Sequence, residues 1–118
     1  MKTDQERLNH IVDAIAEIEL FTQHIDYNQY YKDRILQLAL IKLLEIIGEA
    51  AANVTEETKK EFSEVEWKTL KSVRNILVHE YFGIDYKIVC KAIKEKIPEL
   101  KITIIKILES KFDSPQTH

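Results

Sequence analysis

Apolar side chains recur at steps of three and four residues along most of this 118-residue sequence. Because an α-helix turns once about every 3.6 residues, such spacing places them on one helix face. The first segment shows the pattern most simply, at Leu8, Ile11, Val12, Ile15, Ile18 and Phe21. With only two Gly and two Pro, long turn-rich loops and a many-stranded sheet are disfavoured. The pattern predicts an all-α fold, an up-down helical bundle of four to five helices.

Capping and helix-breaking residues divide this pattern into segments. Thr3 or Asp4 can cap the first helix, and residues 26–29 form a polar joint after it. Thr55 begins a short helical turn, while Ser63 with Glu66 three residues later resembles a capping box. Gly83 is a stop signal, and Pro98 suits the first turn of the last helix. The predicted helices span residues 3–24, 30–54, 63–82, 85–96 and 98–111.

The second predicted helix is the most hydrophobic, with apolar residues on more than one face. Such a helix is central or lies at a subunit interface, and we therefore expect a homodimer. Gly48 in its interior costs about 1 kcal/mol relative to Ala. This glycine either permits a close helix approach or is simply tolerated. Glu49 beside it would be costly unpaired, so it either pairs with a cation such as Arg74 or points to solvent.

Length and charge set further expectations. We expect one helical domain over 1–112 and a flexible C-terminal tail over 113–118. The polar N-terminus and the lack of a long apolar run predict a cytoplasmic protein that does not enter a membrane. Residues 1–58 carry a net charge of −6 and residues 59–118 one of +3. Any positive field for RNA should thus come from the second half. The single cysteine, Cys90, lies among apolar residues and is interpreted as part of the core.

The segment Val73–Phe82 places several polar side chains at the end of a buried helix. Residues four apart share a helix face, so Lys71, Asn75 and His79 form one strip, with Arg74 and Tyr81 on a neighbouring one. The sequence has no metal-ligand spacing, no Gly-rich phosphate loop and no nucleophile elbow. We therefore expect neither a metal nor a cofactor.

An imidazole beside a guanidinium suits metal-free RNA cleavage. His79 can move a proton near neutral pH, and Arg74 can hold phosphate oxygens. Asn75 can orient the imidazole or donate to phosphate, and Tyr81 can stack on a base. A twofold dimer would supply both an acid and a base. The alternative is structural, since a histidine near a helix C-terminus is favoured there by the helix dipole.

The run from Arg74 to Tyr81 resembles the signature of the HEPN superfamily: Arg, a polar residue, three further residues, His, any residue and Tyr. The segment Ile46–Ala51, Trp67 and the stretch from His79 to Asp85 are similar to the HepT-like family, over roughly residues 5–110. This resemblance implies a homodimeric HEPN-type bundle and a metal-independent endoribonuclease acting on tRNA or mRNA. Arg74 and His79 are then catalytic, with Asn75, Lys71 and Tyr81 supporting RNA binding.

The resemblance also implies a partner. HepT-like toxins of type VII toxin–antitoxin systems pair with a minimal nucleotidyltransferase (MNT) antitoxin. That enzyme transfers AMP from ATP onto the motif tyrosine, here Tyr81, and so silences the toxin by adding bulk and negative charge. Two alternatives remain open. One is a non-catalytic helical partner of a nucleotidyltransferase, and the other is an RNA-binding module without turnover.

Overall fold

Four long helices carry most of the chain in a computed structural model that describes residues 2–79 and 85–112. Three short helices and one π-helical turn, Ala92–Lys96, connect them. The long helices are α1 (Asp4–Thr22), α3 (Arg34–Ala52), α5 (Trp67–His79) and α7 (Ile97–Lys111). The short ones are α2 (Tyr27–Tyr30), α4 (Glu56–Glu61) and α6 (Tyr86–Lys91). No β-strand occurs in the described ranges, and the predicted all-α fold is confirmed.

Polar side chains cap five of these helices at their N-termini, because the first backbone N–H groups of a helix lack partners within it. The predicted cap Thr3 accepts a hydrogen bond from the Glu6 N–H at 3.1 Å. Thr55 caps α4 as predicted. The remaining caps are Asp26, Asp33 and Asp85.

Two predicted helix boundaries were wrong. The polar joint at 26–29 contains the short helix α2, and α3 begins at Arg34 rather than at residue 30. The physical reason is capping, since Asp26 and Asp33 each accept a backbone N–H and start separate helices. The third predicted helix, drawn from Ser63, begins only at Trp67. There the Trp67 indole N–H donates to the Phe62 carbonyl at 3.1 Å, a local hydrogen bond that accompanies the later start of the helix.

The last part of the bundle is mostly as predicted. Pro98 lies in the first turn of α7, where its missing N–H costs no helical hydrogen bond. The predicted fourth helix, residues 85–96, changes to π-helical geometry at Ala92. Gly83 and the predicted tail, residues 113–118, lie outside the described residues.

α3 is the centre of the bundle and packs against both α1 and α5. Its inner positions, such as Leu40 and Ile47, are fully or almost fully buried. Its outer face nevertheless keeps apolar side chains in solvent, with Ile35 82% and Leu38 50% exposed. Cys90 is buried and free, as predicted. Burial raises the pKa of its thiol, which favours the unreactive protonated form.

The start of α1 is bound to the start of α4 through Asp4. Its carboxylate accepts hydrogen bonds from the Thr55 N–H at 3.0 Å and from the hydroxyls of Thr55 and Thr58, each at 2.6 Å. Burial alone would raise the pKa of Asp4, but these hydrogen bonds outweigh it and the pKa lies below its ordinary value. The first turn of α1 is therefore held in one place.

No helix in the described part of the chain is both long and apolar enough to cross a membrane.

Candidate functional site

Of the predicted site residues, Arg74, Asn75 and His79 lie on the C-terminal half of α5, and Lys71 lies about one turn earlier on the same helix. This helix is oriented by its apolar side, with Trp67 and Leu77 buried and Val73 packed against the core. That packing leaves Arg74 half-buried against α3 and turns the opposite face to solvent. Apolar residues recur at helical spacing on this buried side, whereas the apolar Val78 beside it is 42% exposed.

Gly48 brings α3 and α5 close together beside Arg74. A Cβ atom at residue 48 would lie 2.5 Å from the Arg74 Cβ and 2.8 Å from the Leu70 carbonyl oxygen. Real Cβ atoms do not approach other atoms so closely, and the Leu70 carbonyl belongs to the backbone and cannot rotate away. Of the two interpretations of Gly48, the close approach is therefore confirmed.

Arg74 forms a hydrogen-bonded ion pair with Glu49 of α3. Its side chain is 22% exposed, whereas that of Glu49 is 57% exposed. Glu49 also accepts a hydrogen bond from the Asn53 amide at 3.2 Å. The predicted pairing of Glu49 with a cation is confirmed, although the carboxylate remains open to solvent on one side. The Arg74 Nε–H is buried and has no hydrogen-bond partner among the described residues.

Lys71, Asn75 and His79 lie together on the exposed side of α5, as their four-residue spacing predicted. His79 is the last residue of the helix. Within the described ranges, no hydrogen bond joins His79 to Arg74 or to Asn75, so the suggested orienting contact from Asn75 is not formed. Arg74 and His79 are five residues apart and thus point roughly 140° apart around the helix axis. One protomer therefore presents the two groups on different faces.

Tyr81 lies outside the described residues, together with Glu80 and residues 82–84.

Arg74 and Glu49 line a cleft of about 360 Å³ between α1, α3 and α5. This volume falls in the range of clefts that hold small ligands, about 300–1,000 Å³. The full lining is Lys2, Arg7, His10, Lys42, Glu45, Ile46, Glu49, Ala50, Arg74 and Val78. Sequence reasoning had not singled out the four basic groups Lys2, Arg7, His10 and Lys42.

These four groups all belong to the first half of the chain, which carries the net negative charge. Most of the basic groups of this cleft thus come from the half that was not expected to supply positive charge, and the second half contributes Arg74 and the apolar Val78. The sequence does show that Arg7 and His10, three residues apart, share a helix face and could act together. It does not show that this face lies beside Arg74, because the two segments are far apart in the sequence. In residues 2–79 and 85–112, no three His, Cys, Asp or Glu side chains cluster as metal ligands would.

Comparison with known proteins gives one consistent result. A family model described as "Ribonuclease HepT-like" matches residues 11–107. A protein of Methanocaldococcus jannaschii named "Putative RNase" is 39% identical over 94 residues, covering 80% of this chain and 86% of the relative. Another "Putative RNase", from Caldanaerobacter subterraneus, is 37% identical over 109 residues, covering 92% and 97%. A "Probable ribonuclease HepT" of Thermococcus cleftensis is 38% identical over 100 residues, covering 85% and 91%. No solved structure matches the chain.

Proposed function

Because the chain belongs to the HepT-like family of ribonucleases, we propose that it is a metal-independent endoribonuclease acting through Arg74 and His79. The observation that carries this proposal is the position of Arg74. Its side chain lies at the wall of an open cleft, held by Glu49, with 22% of its surface exposed. The exposed N–H groups of a guanidinium are donors that suit the oxygens of a phosphate.

The reaction follows from these groups. The RNA 2′-hydroxyl attacks the adjacent phosphorus while an imidazole accepts its proton, and the bond from phosphorus to the 5′-oxygen breaks. The leaving 5′-oxygen takes a proton from an acid, so the products are a 2′,3′-cyclic phosphate and a free 5′-hydroxyl. Arg74 stabilises the charge that develops on the phosphorane oxygens. Lys71 and Asn75, exposed on the same helix, support RNA binding, and Tyr81 stacks on a base.

A homodimer would supply the second imidazole. Each protomer has one His79, directed roughly 140° around α5 from Arg74, whereas the reaction uses both a base and an acid. The outer face of α3 supports this assembly, because Ile35, Leu38 and Ile46 are exposed along one side of it. Apolar stripes of this kind mark interaction surfaces. A twofold axis there would bring two copies of α5 near each other.

We further propose that the protein is the toxin of a type VII toxin–antitoxin pair. An MNT antitoxin would attach AMP to Tyr81, two residues beyond His79. The added phosphate is negatively charged and would repel the RNA phosphate that Arg74 must hold. Incubation with ATP and the cognate nucleotidyltransferase should then add the mass of one AMP to the wild type and none to Tyr81→Phe.

The ribonuclease proposal is tested with purified wild type and His79→Ala on total tRNA and on mRNA, in EDTA. Intact mass first establishes that the wild type carries no AMP. His24→Ala is the matched control, because His24 is also an exposed imidazole but lies beyond the end of α1, away from the motif. We expect cleavage by the wild type and the control, loss of cleavage in His79→Ala, and 2′,3′-cyclic phosphate ends.

Absence of cleavage by the unmodified wild type would overturn the enzyme and favour a non-catalytic partner of a nucleotidyltransferase. RNA binding that survives His79→Ala without any turnover would instead favour an RNA-binding module. Cleavage that persists in His79→Ala would remove the assigned role of the imidazole.

A further inference from the structure

The cleft beside Arg74 has a second wall, formed by Lys2, Arg7 and His10 at the start of α1. We propose that this α1 wall binds an RNA phosphate next to the one that is cleaved. The proposal rests on the proposed ribonuclease function and extends it, because it assigns substrate contacts to an N-terminal segment outside the motif.

Positive side chains outnumber negative ones in the cleft. Four permanent cations line it, against the two carboxylates of Glu45 and Glu49. Both carboxylates are already paired, Glu45 with Lys42 at 3.6 Å and Glu49 with Arg74. Lys2 and Arg7 form no salt bridge among the residues that the structure describes. Two cations of the cleft thus have no paired carboxylate among the described residues, and the lining carries more positive than negative side chains, which is the electrostatic pattern of an anion site.

The basic residues of the α1 wall are held in place by the fold. Arg7 and His10 are three residues apart on α1, so their side chains lie on the same face of the helix. Both are partly buried, and Lys2 is exposed just ahead of the helix. The carboxylate of Asp4 binds this first turn to Thr55 and Thr58 of α4. The α1 wall is therefore preorganised across the cleft from Arg74 rather than presented on a mobile end.

The chemistry of the occupant follows. A polynucleotide carries a phosphate at every nucleotide, so one strand can place one phosphate beside Arg74 and another beside Lys2 and Arg7. Arginine holds phosphate oxygens through two N–H groups in a fixed fork. With Arg74 at the cleaved phosphate, the α1 wall would hold a neighbouring one and set the direction of the strand through the cleft.

The test measures binding and cleavage separately. Binding uses a 2′-O-methyl single-stranded RNA, which has no free 2′-hydroxyl and so is not cleaved. Arg7→Gln and His10→Gln are compared with Lys106→Gln, which also removes a surface charge but lies in a separate cleft between α4 and α7. Arg7→Lys keeps the positive charge but loses the paired N–H groups with which a guanidinium binds two phosphate oxygens. Thermal unfolding establishes that each variant is folded.

We expect Arg7→Gln to weaken binding about tenfold, as for loss of a charged hydrogen bond. The slope of log Kd against log salt should fall by about 0.7, the contribution of one phosphate contact to a single strand. KM should rise more than kcat falls. Arg7→Lys should keep the salt slope, and Lys106→Gln should match the wild type.

Failure of this proposal is distinguishable from failure of the ribonuclease. If the wild type cleaves RNA and Arg7→Gln binds and cleaves as the wild type does, phosphate binding by the α1 wall is refuted, while the proposed ribonuclease activity is supported. If the wild type binds RNA without cleaving it and Arg7→Gln binds more weakly, phosphate binding by the α1 wall is supported, while the ribonuclease activity is refuted. A wild type that neither binds nor cleaves RNA overturns both.

Discussion

Arg74 on α5 donates a hydrogen bond to Glu49 on α3, next to the glycine that allows the two helices to approach. The guanidinium is thereby fixed by a residue outside the Arg-to-Tyr motif. Because Glu49 is more than half exposed, the ion pair contributes little to stability, about 0–1 kcal/mol. Its main effect is to orient Arg74 in the cleft.

Glu49→Ala should therefore lower kcat far more than it lowers the melting temperature. Loss of the orienting contact should reduce cleavage about ten- to a hundredfold, the effect of misplacing a reactive group by about 1 Å. Glu49→Gln keeps an acceptor for Arg74 and should recover part of the activity. Steady-state cleavage and thermal unfolding of the same preparations provide the two measurements.

Glu45→Ala is the matched control, because Glu45 lines the same cleft but pairs with Lys42. It should retain the wild-type kcat. Equal losses in Glu45→Ala and Glu49→Ala would mean that the general charge of the cleft matters and that orientation of Arg74 does not.

Gly48→Ala should destabilise the protein, against the usual trend for glycine in a helix. Helix propensity alone would stabilise the variant by about 1 kcal/mol. The new Cβ, however, would meet the Arg74 Cβ at 2.5 Å and the Leu70 carbonyl oxygen at 2.8 Å, and overpacking costs about 1–3 kcal/mol. Urea unfolding should show a net loss of stability, together with reduced cleavage because Arg74 is displaced. A net gain would contradict the close approach.

The long helices could be predicted because their signal is local. The apolar spacing of α1 and the caps Thr3 and Thr55 act within one or two turns of the chain. The start of α5 could not, because the capping-box pattern at Ser63 predicted an earlier start than Trp67, where the helix begins. Apolar spacing therefore identifies the helices, whereas their ends depend on which of several nearby hydrogen bonds forms.

In the candidate site, too, some contacts could be predicted from the sequence and others could not. The pairing of Glu49 with Arg74 was one of two interpretations that the sequence allowed, because a carboxylate on an apolar helix needs either a partner or contact with solvent. The shared helix face of Arg7 and His10 could also be predicted, but its position beside Arg74 could not. Only the packing of α1 and α5 against α3 brings these distant segments together, and a single sequence does not encode that packing in any short pattern.

Asp4 should make stability depend on pH in the acid range. Its pKa in the folded protein lies below its ordinary value, so the folded state favours the carboxylate. The contribution is then fully present above the unfolded pKa and is lost as the pH falls through the folded value. Asp4→Asn should cost about 1–3 kcal/mol at about pH 7, as for hydrogen bonds to a charged group.

The stability gap between the wild type and Asp4→Asn should shrink progressively below about pH 4, as the wild-type carboxylate becomes protonated. Urea unfolding of both proteins at several pH values measures this gap. A gap that is the same at about pH 7 and about pH 3 would show that the charge on Asp4 has no part in holding α1 to α4.

Ile35→Glu should separate the proposed dimer without unfolding the monomer. Ile35 is 82% exposed in the single chain, so a charged side chain there costs the isolated fold little. In a dimer that buries this face of α3, the carboxylate would lose its water and lower the affinity by several orders of magnitude. Analytical ultracentrifugation measures the assembly. Ile102→Glu is the control, because Ile102 is 59% exposed on α7, away from this face.

Measuring RNA cleavage by the same two variants tests whether the dimer is needed for catalysis. If the second His79 completes the site, Ile35→Glu should be monomeric and inactive, whereas Ile102→Glu should be dimeric and active. Activity should then return when the concentration of Ile35→Glu is raised towards its dissociation constant, because assembly follows mass action. A wild type that is monomeric at micromolar concentration and still cleaves RNA would place both the acid and the base within one chain. The imidazole of His10, in the same cleft as Arg74, would then be the next residue to replace.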